Sequence, residues 1–193
     1  MRTRWVTPAA LVVVALVTAG LSGCDRGGGA APSAPSTTAP ATTTAAADPF
    51  AAKNRTPDPQ AVAIGLTKIS LATAATGDQV IFEFTGNAVP GWAVHYVGQA
   101  VPNPGPAVLP MAGQSIIEVL IREAANPFKT GVPAYAGANP VIDPAVRSIS
   151  EVRFASADRG ITQAFIGLAI GQVGFRVTAL TNPTRVVVEV DHR

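Results

Sequence analysis

A single cysteine, Cys24, in 193 residues leaves no partner for an intramolecular disulfide and no thiolate cluster for a metal. The folded part must therefore stand on its hydrophobic core. Histidine is nearly as scarce. His95 and His192 are the only two, and His192 is the penultimate residue. A hydrolytic zinc centre draws several His and Glu ligands together, so a His-rich metal site cannot be built here. There is no Gly-x-Ser-x-Gly elbow, no phosphate-binding glycine loop and no cysteine nucleophile. The sequence predicts no metal and no cofactor. No basic run or interleaving of aromatic and basic residues is present, which argues against nucleic acid as a partner. No internal repeat is visible, and no apolar run reaches the roughly 18–20 residues that a spanning helix requires.

The N-terminal segment does have a pattern. Arg2 and Arg4 precede an Ala-, Leu- and Val-rich run from Pro8 to Ala19, and small residues follow to Gly23. This is the grammar of an export signal. Leu21-Ser22-Gly23-Cys24 resembles the lipobox of bacterial lipoproteins. The resemblance implies cleavage before Cys24, a diacylglycerol on its thiol, and attachment to the outer face of the cytoplasmic membrane in the cell envelope. Stable attachment takes more than one acyl chain, and a diacylglycerol meets that condition. The alternative is an ordinary cleaved signal or a short uncleaved anchor. Removing residues 1–23 takes away two of the 14 Lys+Arg and none of the 12 Asp+Glu, so the formal charge falls from +2 to zero.

Residues 24–60 are read as the lipidated Cys and a disordered Ala/Pro/Thr-rich linker. Asp25 to about Pro59 is dominated by Gly, Ala, Pro, Ser and Thr. Such a stretch lacks the large apolar side chains that offset chain ordering. As a flexible coil it spans about 30–35 Å.

The globular part is assigned to 61–193. Its pattern predicts an all-β fold, a two-sheet antiparallel β-sandwich. Val80, Phe82 and Phe84 alternate with Ile81 and Glu83. Trp92, Val94 and Tyr96 share one face and His95 takes the other. Val186, Val188 and Val190 point inward, with Arg185 and Glu189 outward; Val187 interrupts the polar face. Strands are expected at 67–73, 79–85, 92–97, 116–122, 146–155, 161–170, 175–180 and 185–191. A short one is expected around Val132–Tyr135. Gly77-Asp78, Asp158-Arg159-Gly160 and Asn182-Pro183 read as turns. Ile166, Leu168 and Ile170 alternate with Gly167 and Ala169, the mark of a central strand buried on both faces.

The run Phe175-Arg176-Val177-Thr178-Ala179-Leu180-Thr181-Asn182-Pro183-Thr184-Arg185-Val186-Val187-Val188-Glu189-Val190 resembles the end of an AMIN-like domain. Gly77–Phe84, followed by Pro90-Gly91-Trp92-Ala93-Val94-His95-Tyr96-Val97, resembles its beginning. Such domains occur in actinobacterial lipoproteins after a low-complexity linker. The resemblance implies a two-sheet β module related to the AMIN domain, a peptidoglycan-targeting module of cell-wall amidases and secretion-pore proteins.

Candidate site residues follow. Trp92, Tyr96 and Tyr135 can form an aromatic platform for a sugar; the alternation favours the core for the first two. Arg185 can meet an anionic group such as a peptide-stem carboxylate through its fork of donors. Its alternatives are solvation or a salt bridge to Glu189 or Glu151. A Ser-His-Asp arrangement would need His95 with Asp78 or Asp143, and acid–base sugar chemistry would need Glu83 with Glu118. Both are weaker readings than packed or solvated side chains. The sequence thus points to a non-enzymatic envelope protein that binds peptidoglycan or another wall component. The alternatives are a carrier of an apolar ligand between the sheets and a protein-interaction module.

Overall fold

The computed structural model describes residues 47–59, 61, 64–122 and 133–192. Residues 1–46, which include Cys24 and most of the stretch read as signal and linker, lie outside the described residues. Nine strands occur in the order β1 (Lys53–Arg55), β2 (Leu66–Thr73), β3 (Gly77–Phe84), β4 (Trp92–Val97), β5 (Ser115–Arg122), β6 (Ile149–Asp158), β7 (Ile161–Leu168), β8 (Phe175–Leu180) and β9 (Thr184–Asp191). They form a five-stranded sheet in the order β1-β4-β5-β7-β6 and a four-stranded sheet in the order β2-β3-β9-β8. Every neighbouring pair is antiparallel. This is the all-β two-sheet sandwich that the alternation predicts. No helix of the described residues is long and apolar enough to cross a membrane.

The core follows from period-2 patterning. Val80 and Phe82 of β3, Val186, Val188 and Val190 of β9, and Ile117, Val119 and Ile121 of β5 are fully buried. Inward side chains from both sheets form one contiguous cluster. Each such side chain contributes roughly 1.5–3 kcal/mol by leaving water. β7 sits between β5 and β6, so its central placement matches the reading. Val187 is also buried although it lies on the outer face of its sheet, where Ile81 stands opposite it.

Three local expectations are corrected. Folded structure begins before residue 61: β1 pairs in register with β4, Arg55 opposite Trp92. Three residues without an apolar pattern gave no local signal, and only the edge of β4 makes them a strand. Gly77 and Asp78 are not turn residues but the first two residues of β3, paired with Asp191 and Val190. The bend falls on residues 74–76 instead. Residues 133–135 form no strand; Val141 makes an isolated bridge to Val152.

The connection from β4 to β5, residues 98–114, folds back across the outer face of the five-stranded sheet. The Ala112 N–H donates to Glu151 Oε1 at 2.7 Å, and the Gln114 N–H donates to the Leu168 carbonyl at 2.7 Å. Gly167 permits this approach, because a Cβ there would lie 2.1 Å from the Ala112 carbonyl oxygen.

Candidate functional site

The aromatic candidates do not share a surface. Trp92 is 6 % exposed in the core, with the Arg55 guanidinium 5.5 Å from its ring. Tyr96 closes the gap between the sheets. Its hydroxyl donates to the Val173 carbonyl at 2.7 Å and accepts from the Val173 N–H at 3.0 Å, and its ring meets Phe175 edge-on at 5.5 Å. Burial pushes the Tyr96 phenol up. Tyr135 packs on Phe154 at 5.2 Å and donates to the Ala138 carbonyl at 2.9 Å.

Arg185 lies on the outer face of the four-stranded sheet, opposite Glu83 in the β3–β9 register. Neither salt bridge considered for it forms. Glu189 is taken by Arg176 at 2.6 Å, and Glu151 by Arg153 at 3.0 Å. Arg185 makes no ion pair with any described residue, and its Nε is buried without a hydrogen-bond partner. A buried donor left unpaired is costly. Four residues along the same face, opposite Glu189, Arg176 bonds Glu189, Asp191 and Thr76 together. Sequence reading overlooked Arg176, although its place two residues before Thr178 on an alternating strand put it on this same outer face.

The catalytic pairings do not assemble. Glu83 is on the outer face of one sheet and Glu118 on the outer face of the other. His95 Nε2 is 3.1 Å from Glu118 Oε2. Asp78 faces His192 rather than His95, and Asp143 accepts from the Ala145 N–H at 2.9 Å. No group of three or more His, Cys, Asp or Glu that could hold a metal ion occurs among the described residues.

Asp78 and Glu151 are the buried carboxylates among the described residues, and the Asp78 side chain is 1 % exposed. It begins the inward face of β3, one step beyond Val80, at the end of the sandwich. Oδ2 accepts from the Arg147 and Ser148 N–H groups, both at 2.7 Å. Oδ1 accepts from Thr73 Oγ1 at 3.1 Å and lies 3.2 Å from His192 Nε2. Burial by itself would raise its pKa. The hydrogen bonds from Ser148, His192, Arg147 and Thr73 outweigh burial and hold the carboxyl below 3.8. A recess of about 530 Å³ opens above it, lined by Thr73, Arg147, Ser148, Ile170 and His192 among others. Every oxygen of Asp78 is already engaged, so its role here is to fasten the residues just before β6 and His192 to β3. Its partners lie 69 to 114 residues away apart from Thr73, beyond any local spacing rule.

Compared with known proteins, residues 65–192 match the family model described as the AMIN-like domain. None of the curated proteins and none of the solved structures matches the chain.

Proposed function

Because this chain belongs to the AMIN-like domain family, whose character suggests a cell-wall or peptidoglycan-related role, we propose that it is a non-catalytic, lipid-anchored envelope protein whose sandwich binds peptidoglycan. The family match carries this reading, since it spans both sheets and leaves only β1 outside. Leu21-Ser22-Gly23-Cys24 supports lipidation of Cys24, and the Ala/Pro/Thr-rich linker supports display of the domain above the lipid surface. The contiguous packing of inward side chains favours a solid core over an apolar carrier cavity.

Of the sequence candidates, Arg185 is the contact best prepared for a stem-peptide carboxylate. It is an outer-face cation with no ion pair among the described residues, so the terminal nitrogens of its guanidinium are not committed to a carboxylate. The chain from Asp25 to Arg193, which keeps every strand, is expected to co-sediment saturably with isolated sacculi and to be competed by muropeptides. Arg185→Ala is expected to weaken that binding about tenfold, the ~1.5 kcal/mol of one charge-assisted hydrogen bond, with the thermal midpoint no lower, since the substitution breaks no ion pair and removes an unpaired buried donor. Absence of saturable sedimentation would overturn the wall reading. The anchor is tested separately in the full chain. Cys24→Ser is expected to move the protein from the membrane to the soluble fraction, and continued membrane retention counts against lipidation.

A further inference from the structure

The outer face of the five-stranded sheet carries side chains that an open sandwich would leave in water. Here the 98–114 connection roofs them. The Asn103 N–H donates to Gln163 Oε1 at 2.7 Å, and the Asn103 carbonyl accepts from Ser156 Oγ at 2.8 Å. Gln163, 3 % exposed, donates through Nε2 to the Val101 carbonyl at 3.1 Å and to Glu118 Oε1 at 2.6 Å. His95 holds the other Glu118 oxygen. The roof is thus fixed by satisfied hydrogen bonds rather than by apolar contact alone. Between roof and sheet remains a recess of about 250 Å³.

We infer that this recess is a binding site for a single uncharged, hydroxyl-rich ring of a glycan; the inference rests on the wall reading above. Its volume lies just below the roughly 300 Å³ at which pockets for drug-sized ligands begin, so it suits one hexose-sized ring and not a chain of them. Leu120 and Ile161 supply an apolar floor for the C–H face of such a ring. Glu118, Asp158, Arg159 and Asn103 stand around it. Asp158, Arg159 and Asn103 carry planar polar groups able to engage neighbouring hydroxyls, and Glu118, held by Gln163 and His95, has only its remaining lone pairs to offer. The Asn103 amide has no hydrogen-bond partner among the described residues, its backbone alone holding the roof.

Charge points the same way. Arg159 is 3.4 Å from Asp158, so the recess offers no lone cation to an anion. Two carboxylates without a third ligand make a poor cation site. The fixed roof also means that little ordering cost remains to be met on binding.

The test is a titration of N-acetylglucosamine into the ¹⁵N-labelled chain from Asp25 to Arg193, followed by NMR. The expected result is saturable movement of the Asn103, Leu120, Arg159 and Ile161 amide signals, with a millimolar dissociation constant. Glu118→Gln keeps an acceptor for Gln163 but turns an N–H donor toward His95, whose Nε2 must then accept, and Asp158→Asn alters only a surface ion pair. Each is expected to weaken binding about five- to tenfold, and Asp158→Asn is expected to do so with thermal unfolding the same. Saturable shifts confined to the Arg185 face would overturn the site. No shift, with sacculus sedimentation intact, would overturn the recess and leave the wall reading standing. No shift together with no sedimentation would overturn both.

Discussion

Replacing Asp78 by Ala is expected to destabilise the folded domain by about 3–5 kcal/mol, the cost of stripping a buried charge network of one partner. The loss leaves the Arg147 and Ser148 N–H groups buried at the sandwich end without the acceptor that both now share at 2.7 Å. It also removes the acceptor for Thr73 and His192. For a domain of this size the thermal midpoint should fall by roughly 10 °C or more. The same carboxylate sets the acid limit of stability. Its folded pKa lies below the ordinary 3.8, so the unfolded chain takes up the proton first as pH falls. The stabilisation is complete above about pH 4 and drains away as pH drops through the folded value. Glu189 acts in the same direction from 4.5, held down first by Thr76 and then by Arg176. Guanidinium unfolding of the wild type at pH 7 and at successive steps below pH 4 should show stability falling steeply. The Asp78→Ala protein should start lower and lose less over the same window, with Glu189 still contributing to the slope. Equal pH slopes for the two proteins would refute the assignment.

Gly77→Ala is expected to cost about 3 kcal/mol, at the upper end of overpacking penalties. A Cβ at this position would lie 2.2 Å from the Val190 carbonyl oxygen and 2.8 Å from its carbon. These are backbone atoms of β9, held centrally between β3 and β8. They cannot yield as a flexible side-chain tip would. Relief requires the start of β3 to peel from β9, which drags Asp78 away from Arg147 and Ser148. The effect of Gly77→Ala combined with Asp78→Ala should therefore fall well short of the sum of the two. Denaturant unfolding of the two single variants and the double variant measures this, and full additivity would show that the two residues act separately.

The fold class was legible because alternation is a local code. Val80-Ile81-Phe82-Glu83-Phe84 and Arg185-Val186-Val187-Val188-Glu189-Val190 each state, within one strand, which side faces the core. The strand at Phe175–Leu180 was expected with the bounds it has. β1 was not legible, since Lys53-Asn54-Arg55 reads as linker until β4 presents an unpaired edge to it.

Sites were less legible than strands, for the same physical reason. Arg185 could be placed on an outer face by parity. That Glu189 and Glu151 would be claimed by Arg176 and Arg153, leaving Arg185 without an ion pair among the described residues, depends on which strands are neighbours. Asp78 was read as a turn residue because Gly-Asp is turn chemistry. Its actual role comes from donors supplied by the two residues before β6 and by the residue after β9.

By itself, then, the sequence determined an all-β sandwich, the inward side of its strands, and membership of a family whose character suggests the cell wall. Tertiary structure alone decided the strand order, the satisfaction of Asp78 and the roofing of Gln163 by the 98–114 connection. Inward and outward facing is set by steric alternation along one strand. A buried polar group is stable only when distant segments bring it partners, and no local pattern encodes which segments those will be.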